Sequence, residues 1–289
     1  MENIIIDGKH ISNLVKDELI SKVDALKVKG VHPGLAVVLV GDNPASKVYV
    51  GSKKKACEYI GIKSFSYEMP SEVSELEVLE LIATLNNDPA VHGILVQLPL
   101  PKHIDEQKVL LAINPKKDVD GFHPMSVGAL VVGAEGFVSC TPAGIIELLK
   151  RSNVTIEGKH CVVVGRSNIV GKPISMLLLK EHGTVTICHS RTKDLGDIVR
   201  QADIIVAAVG VPKLITKDMI KKDAVIIDVG MNRLGNGKLC GDVDFDGCIE
   251  KASLITPVPG GVGPMTIAML MNNCVISASK ILEENIIGN

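Results

Sequence analysis

From residue 11 the chain places Ile11, Leu14, Val15, Leu19, Val23 and Leu26 at helical spacing with Lys and Asp between them, which predicts an amphipathic helix over 11–29. His32-Pro33-Gly34 breaks it, and the pattern then changes. Residues 35–40, LAVVLV, are an unbroken apolar run, the mark of a strand buried on both faces. A helix over 45–59 and a strand over 63–67 follow, then a second amphipathic helix over 71–86 with Ser71 or Ser74 as its cap. A third strand, 91–96, closes on Gln97-Leu98-Pro99-Leu100-Pro101. Strands alternating with helices, without hairpin signals between them, predict parallel β-α-β units.

The turn-rich stretch 118–124 reads as a seam between domains, and the alternation resumes after it. The run AGIIELLK predicts a helix, and strands are expected at 161–164, 184–188, 204–208, 224–229 and 254–256, with a short segment at 238–243. The loop 257–264 feeds a final helix over 265–284, ~30 Å long and predicted to return to the first domain. The expected fold is therefore α/β, with two domains flanking a cleft. Residues 1–122 plus 265–289 would form an N-terminal domain with a parallel sheet, and 123–264 a Rossmann-like nucleotide-binding domain.

Composition narrows the function. Over 289 residues, 46% are apolar and 22% charged, the profile of an ordinary globular protein. Aromatics are only 2% and Trp is absent, so the core must be aliphatic. That scarcity, with a net charge of −2, argues against an extended nucleic-acid surface. The seven cysteines are scattered without a C-x-x-C pair and read as reduced thiols of a cytoplasmic protein; no metal site is expected. Residues 1–10 do not read as a secretory signal. Asn272, Asn273 and Ser277 interrupt the longest apolar segment, so no membrane span is expected.

Strand 161–164 stops at Gly165, and Gly171-Lys172-Pro173 opens a helix six residues later. A glycine turn before a helix N-terminus is either an ordinary β-α turn or a cradle whose N–H groups hold phosphate. The spacing is not G-x-G-x-x-G, since Arg166 and Asn168 intervene. After the next strand stand Ser190 and Arg191, where an NAD site usually has an acid. Two arginines and a serine suit the 2′-phosphate of NADP.

Four further groups could do chemistry. Tyr49 and Lys53 share one helix face, and Lys53 lies on a stripe that continues inward to Ala56 and Ile60, unlike the solvated Lys54 and Lys55. Gln97 is the polar residue at a strand end, bonded either to backbone or to a ligand. Asp118 or Asp120 could each supply the Asx turn at 118–121, and a cleft-facing carboxylate could instead take two hydrogen bonds from a pterin. The loop PVPGGVGPMT is rigid, and its glycines allow close approach to a planar ligand.

The segments VGDNPAS, YVGSKKKAC, GILVQLPLP, KDVDGFHP, CTPAG, VVVGRSNIVGKP, CHSRT, IDVGMN, GDVDF and TPVPGGVGPMT together resemble the bifunctional methylenetetrahydrofolate dehydrogenase/methenyltetrahydrofolate cyclohydrolase family, across essentially the whole chain. The resemblance implies an NADP-dependent enzyme of one-carbon metabolism, a folate substrate and a homodimer. It makes Lys53 the catalytic lysine, with Tyr49, Gln97 and Asp120 beside it, and places Leu98, Pro259, Gly260 and Gly261 against folate. It places Thr141, Gly165, Arg166, Ser167, Ile169, Val170, Gly171, Ser190, Arg191 and Gly210 at the cofactor. Ser139 departs from the family's usual Pro and removes no functional group. A shikimate-dehydrogenase-like oxidoreductase and a non-catalytic NADP-sensing module are the competing readings.

Overall fold

A computed structural model describes residues 4–235 and 237–287. The chain divides into two compact units, residues 13–140 with those from 267 onward, and residues up to 12 with 141–266. The division keeps the final helix with the front half, as expected. It differs from the sequence reading at two places. Residues 4–6 pair with the second unit, where the Ile6 N–H donates to the Ile255 carbonyl and the Ile255 N–H to the Ile4 carbonyl, both at 2.9 Å. Residues 123–140 stay with the first, because the Asp118 carboxylate grips the chain that follows it.

The first unit contains α1 (Gly8–Val28) from residue 13, β1 (Gly34–Val40), α2 (Pro44–Ile60), β2 (Lys63–Met69), α3 (Glu75–Asn87), β3 (Gly93–Val96), α4 (Glu106–Ala112) and α5 (Pro124–Val132). Its sheet is parallel, in the order β2-β1-β3. All seven residues of β1 are buried, which is why it reads as an apolar run and not an alternation. Val38, Val40, Ile82, Ile94 and Val96 lie in one aliphatic core. Ser74, not Ser71, caps α3, through a capping box with Glu77. α4 and α5 were not expected: the first spans seven residues, and the second lies in the stretch read as a seam.

The second unit contains α6 (Cys140–Arg151) from residue 141, β4 (His160–Val164), α7 (Gly171–Lys180), β5 (Thr184–Cys188), α8 (Leu195–Val199) and β6 (Ile204–Ala207). It continues with β7 (Val225–Asp228), the antiparallel pair β8 (Asn232–Arg233) and β9 (Leu239–Cys240), α9 (Phe245–Cys248) and β10 (Leu254–Ile255). The last helix, α10 (Val262–Ile287), belongs to the first unit from residue 267. The five-stranded parallel sheet runs β10-β7-β6-β4-β5. Strand order reverses at β4, whose chain continues to one neighbour while β6 flanks the other side. A doubly wound sheet binds ligands beyond the carboxyl end of such a strand.

Two buried carboxylates hold the carboxyl edge of this sheet together. Asp228, at the end of β7, accepts N–H bonds from Gly230, Asp242 and Val243. Asp242 accepts from the N–H groups of Val209 and Gly210 and from the Asn232 amide. Gly230 and Gly241 are required there, because a Cβ on either would strike these carboxylates. All seven cysteines are free thiols.

Candidate active site

In the first unit, β1 ends at Gly41, in the left-handed region, and Asn43 caps α2 by accepting from the Ala45 and Ser46 N–H groups at 3.0 and 3.2 Å. That start fixes the helix face carrying Tyr49 and Lys53. Lys53 is buried, 8% exposed, and its Nζ donates to Gln97 Oε1 at 2.8 Å. Gln97 is held from both ends: its N–H donates to the Val38 carbonyl at 2.8 Å and its Nε2 to the Leu98 carbonyl at 2.7 Å. The backbone alternative for Gln97 holds for its amide nitrogen, while its oxygen is on Lys53, a side-chain partner outside the two alternatives. Tyr49 is more exposed, and burial raises its phenol. Lys54 and Lys55 are solvated, as expected.

Of the two acids that the sequence left open for the turn, Asp118 is the one that builds it. Asp118 accepts from the N–H groups of Phe122 and His123 and from the Ser126 hydroxyl, so it builds the turn. That leaves Asp120 to interact with Lys53 and with the Cys140 thiol. Burial pushes the Asp120 carboxyl up to about 6, and nearby Asp118 adds to the rise, against the pull of the Lys53 ammonium and the Cys140 thiol. Burial likewise lowers Lys53, opposed by Asp120 and Cys140. Both shifts come from lost water, the environment that tunes acid-base groups toward neutrality.

Gly121 permits this arrangement. It sits at φ 74°, and a Cβ on it would lie 2.5 Å from the Ser139 nitrogen. Gly121→Ala is expected to destabilise the protein by ~1–3 kcal/mol. A urea midpoint equal to that of the parent would refute this reading of the turn.

The cofactor candidates lie in the second unit. Gly165 (φ 135°) and Gly171 allow the loop to fold on itself, since a Cβ on the first would strike the Ala208 carbonyl and one on the second the Gly165 carbonyl. Ser167 accepts from the Val170 and Gly171 N–H groups through its hydroxyl, at 3.2 Å each, and from Lys172 through its carbonyl at 3.0 Å. The N–H groups of Val170, Gly171 and Lys172 at the start of α7 are thus bonded within the loop. Arg166, Ser167 and Ile169 are exposed on that loop, and Ser190 and Arg191 are exposed after β5, the strand paired with β4. Gly210 (φ 69°) follows β6 and is held by Asp242. Thr141 shares a hydroxyl hydrogen bond with Thr266 at 2.9 Å. In the 257–263 loop, Pro259 and Gly260 follow one another, and the Gly260 carbonyl accepts from the Lys9 N–H at 3.0 Å. Gly261 is buried, where a Cβ would lie 2.5 Å from the Pro257 carbonyl.

Residues 6–120 match the family described as tetrahydrofolate dehydrogenase/cyclohydrolase, catalytic domain, and residues 139–282 match its NAD(P)-binding domain. The chain belongs to the tetrahydrofolate dehydrogenase/cyclohydrolase family. Within this family it is 64% identical over 277 residues to the bifunctional protein FolD of Lachnoclostridium phytofermentans, covering 96% of this chain and 98% of that one. The crystal structure of the bifunctional FolD enzyme from Campylobacter jejuni superposes with a TM-score of 0.94 at 53% identity, covering 96% of this chain and 99% of that one. The Trypanosoma brucei enzyme, solved with NADP cofactor and inhibitor, gives a TM-score of 0.93 at 40% identity, over 97% of this chain and 99% of that one. These family matches favour the dehydrogenase/cyclohydrolase reading over the shikimate-dehydrogenase-like and sensing alternatives.

Four residues in these constellations had no role in the sequence reading. Cys140 was read only as part of CTPAG, although its thiol touches Asp120. Asp228 and Asp242 lie in IDVG and GDVDF, where an acid one or two residues from a glycine signals a tight carboxylate-backbone contact. Asn273 stood out only as a polar break in an apolar helix.

Proposed function

We propose that the protein oxidises 5,10-methylenetetrahydrofolate to the methenyl form with NADP⁺ and hydrolyses that product to 10-formyltetrahydrofolate. The observation that carries the reading is the 2.8 Å hydrogen bond from buried Lys53 to Gln97 with Asp120 beside it, in a chain of this family. The loop from Gly165 to Gly171, tight enough to exclude a Cβ at both glycines, fits a dinucleotide at the strand-order switch. Exposed Arg166, Ser190 and Arg191 suit its 2′-phosphate.

Bound NADP⁺ supplies the hydride acceptor. Oxidation asks the protein chiefly for ring placement, which we assign to Asp120 on the pterin and to the Pro259-Gly260-Gly261 loop. Hydrolysis asks for proton transfer, which we assign to Lys53. Burial disfavours its ammonium, and the cationic methenyl substrate adds like-charge repulsion, so the amine accepts a proton from the attacking water. Gln97 Oε1 fixes the position of Nζ. Tyr49, four residues back on the same helix, borders the substrate.

Purified protein given methylenetetrahydrofolate and NADP⁺ should form NADPH together with a methenyl absorbance that then decays. Formation of neither would overturn the reading. Arg191→Ala is expected to raise KM for NADP⁺ about tenfold, the worth of one charge-assisted hydrogen bond, with little change for NAD⁺. An equal change for both cofactors would remove Arg191 from phosphate recognition. We place the enzyme in the cytoplasm, which its seven free thiols support, and as a homodimer, which sedimentation velocity tests.

A further inference from the structure

We propose that Asn273 of α10 is a positioning residue for Asp120, the carboxylate that the proposed function places on the pterin; the inference rests on that reading. Asn273 is 6% exposed, and its side-chain nitrogen donates to the Val119 carbonyl at 2.9 Å and to the Val138 carbonyl at 3.0 Å. An amide nitrogen carries two protons, so one side chain fills both bonds. The first acceptor immediately precedes Asp120. The second precedes Ser139-Cys140, the segment that Gly121 approaches most closely. The same nitrogen lies 3.7 Å from Cys140 Sγ, and Cys140 also donates to the Val119 carbonyl, at 3.3 Å.

Asn273 therefore ties the backbone just before Asp120 to the strip that leads to Cys140, whose thiol contacts the Asp120 carboxylate. Few residue types could replace it. Aspartate would set oxygens against two carbonyls, leucine would donate to neither and leave Val119 only the Cys140 thiol, and serine carries one proton for two acceptors. Ser277, one turn further along α10, shares its one hydroxyl proton between two carbonyls elsewhere in the first unit, 2.6 Å from that of His92 and 2.9 Å from that of Lys116. It anchors the same helix without touching the residues flanking Asp120, which makes it a control for a merely structural role. The charged and titratable groups that act on Asp120 are Lys53, Asp118 and Cys140, all outside α10.

The test compares Asn273→Leu, Asn273→Ser, Ser277→Ala and Asp120→Asn in the full-length enzyme. Steady-state assays give KM for methylenetetrahydrofolate and for NADP⁺, and hydrolysis is followed against pH. Asn273→Leu should raise the folate KM about tenfold or more and displace the acidic limb of the hydrolysis profile, with KM for NADP⁺ unchanged. Asn273→Ser should show the same effects more weakly, and it serves if the leucine variant does not fold. Ser277→Ala should lower the melting temperature and leave the folate KM and the pH limb in place. If the Asn273 variants lose only thermal stability, the positioning role is wrong. Should Asp120→Asn also leave the folate KM unchanged, the underlying reading of Asp120 fails; if only Asp120→Asn raises it, this inference alone falls.

Discussion

Lys53→Met is expected to slow hydrolysis of methenyltetrahydrofolate by roughly 10²–10⁴-fold, the usual worth of a positioned acid-base group. Methionine fills much the same space, and removing a buried ammonium should not unfold α2. Oxidation should keep a measurable rate, and NADP⁺ affinity should hold, because the Gly165–Gly171 loop is built independently of this side chain. The pH profile carries a second signature. In the parent, hydrolysis should rise with pH through a Lys53 pKa below the ordinary lysine range, because the neutral amine is the working form. It should fall on the acid side as Asp120 protonates near its raised pKa of about 6. Without the Lys53 ammonium, which favours the ionised carboxylate, Asp120 should rise further, so its acidic limb should move to higher pH in any residual reaction. Stopped-flow decay of the methenyl absorbance measures all of this, and parental decay in the methionine variant would remove Lys53 from the mechanism.

The second large effect is on stability. Asp242→Ala should lower stability by roughly 3–5 kcal/mol, because it strands two backbone N–H groups, those of Val209 and Gly210, and the Asn232 amide. A domain has only ~5–15 kcal/mol to lose, so the melting temperature should drop by about 10 °C or more. Surviving protein should bind NADP⁺ more weakly, since Gly210 loses its tether. Calorimetry showing a change below about 2 °C would mean that the carboxylate is dispensable.

Residues with a one-dimensional signature were legible in the sequence. β1 announced itself because both of its faces are buried, so its apolar run had no gaps. Lys53 was separable from Lys54 and Lys55 because helical spacing put it on the inward stripe. What could not be read depended on partners distant in sequence. Asp118 and Asp120 are chemically equivalent in the string DVD, and only the path of residues 122–126 decides which one closes the turn. Nothing in the string shows that the hydroxyl of Ser167, a cofactor candidate, closes the loop at the start of α7. Of the β8-β9 pair, β9 lies within the short segment expected at 238–243, whereas β8, only two residues long, left no signal. The acids of IDVG and GDVDF acquire their role only when β6 and β7 lie side by side.

The first unit draws on residues synthesised after those of the second. Everything that builds the five-stranded sheet, through Ile255, is synthesised before Asn273 and Ser277 appear. During translation the nucleotide-binding half can therefore close while the folate half still lacks its final staple. At about 5–20 residues per second, that half waits roughly 8–30 s for Asn273, which lies 153 codons downstream of Asp120 (273 − 120).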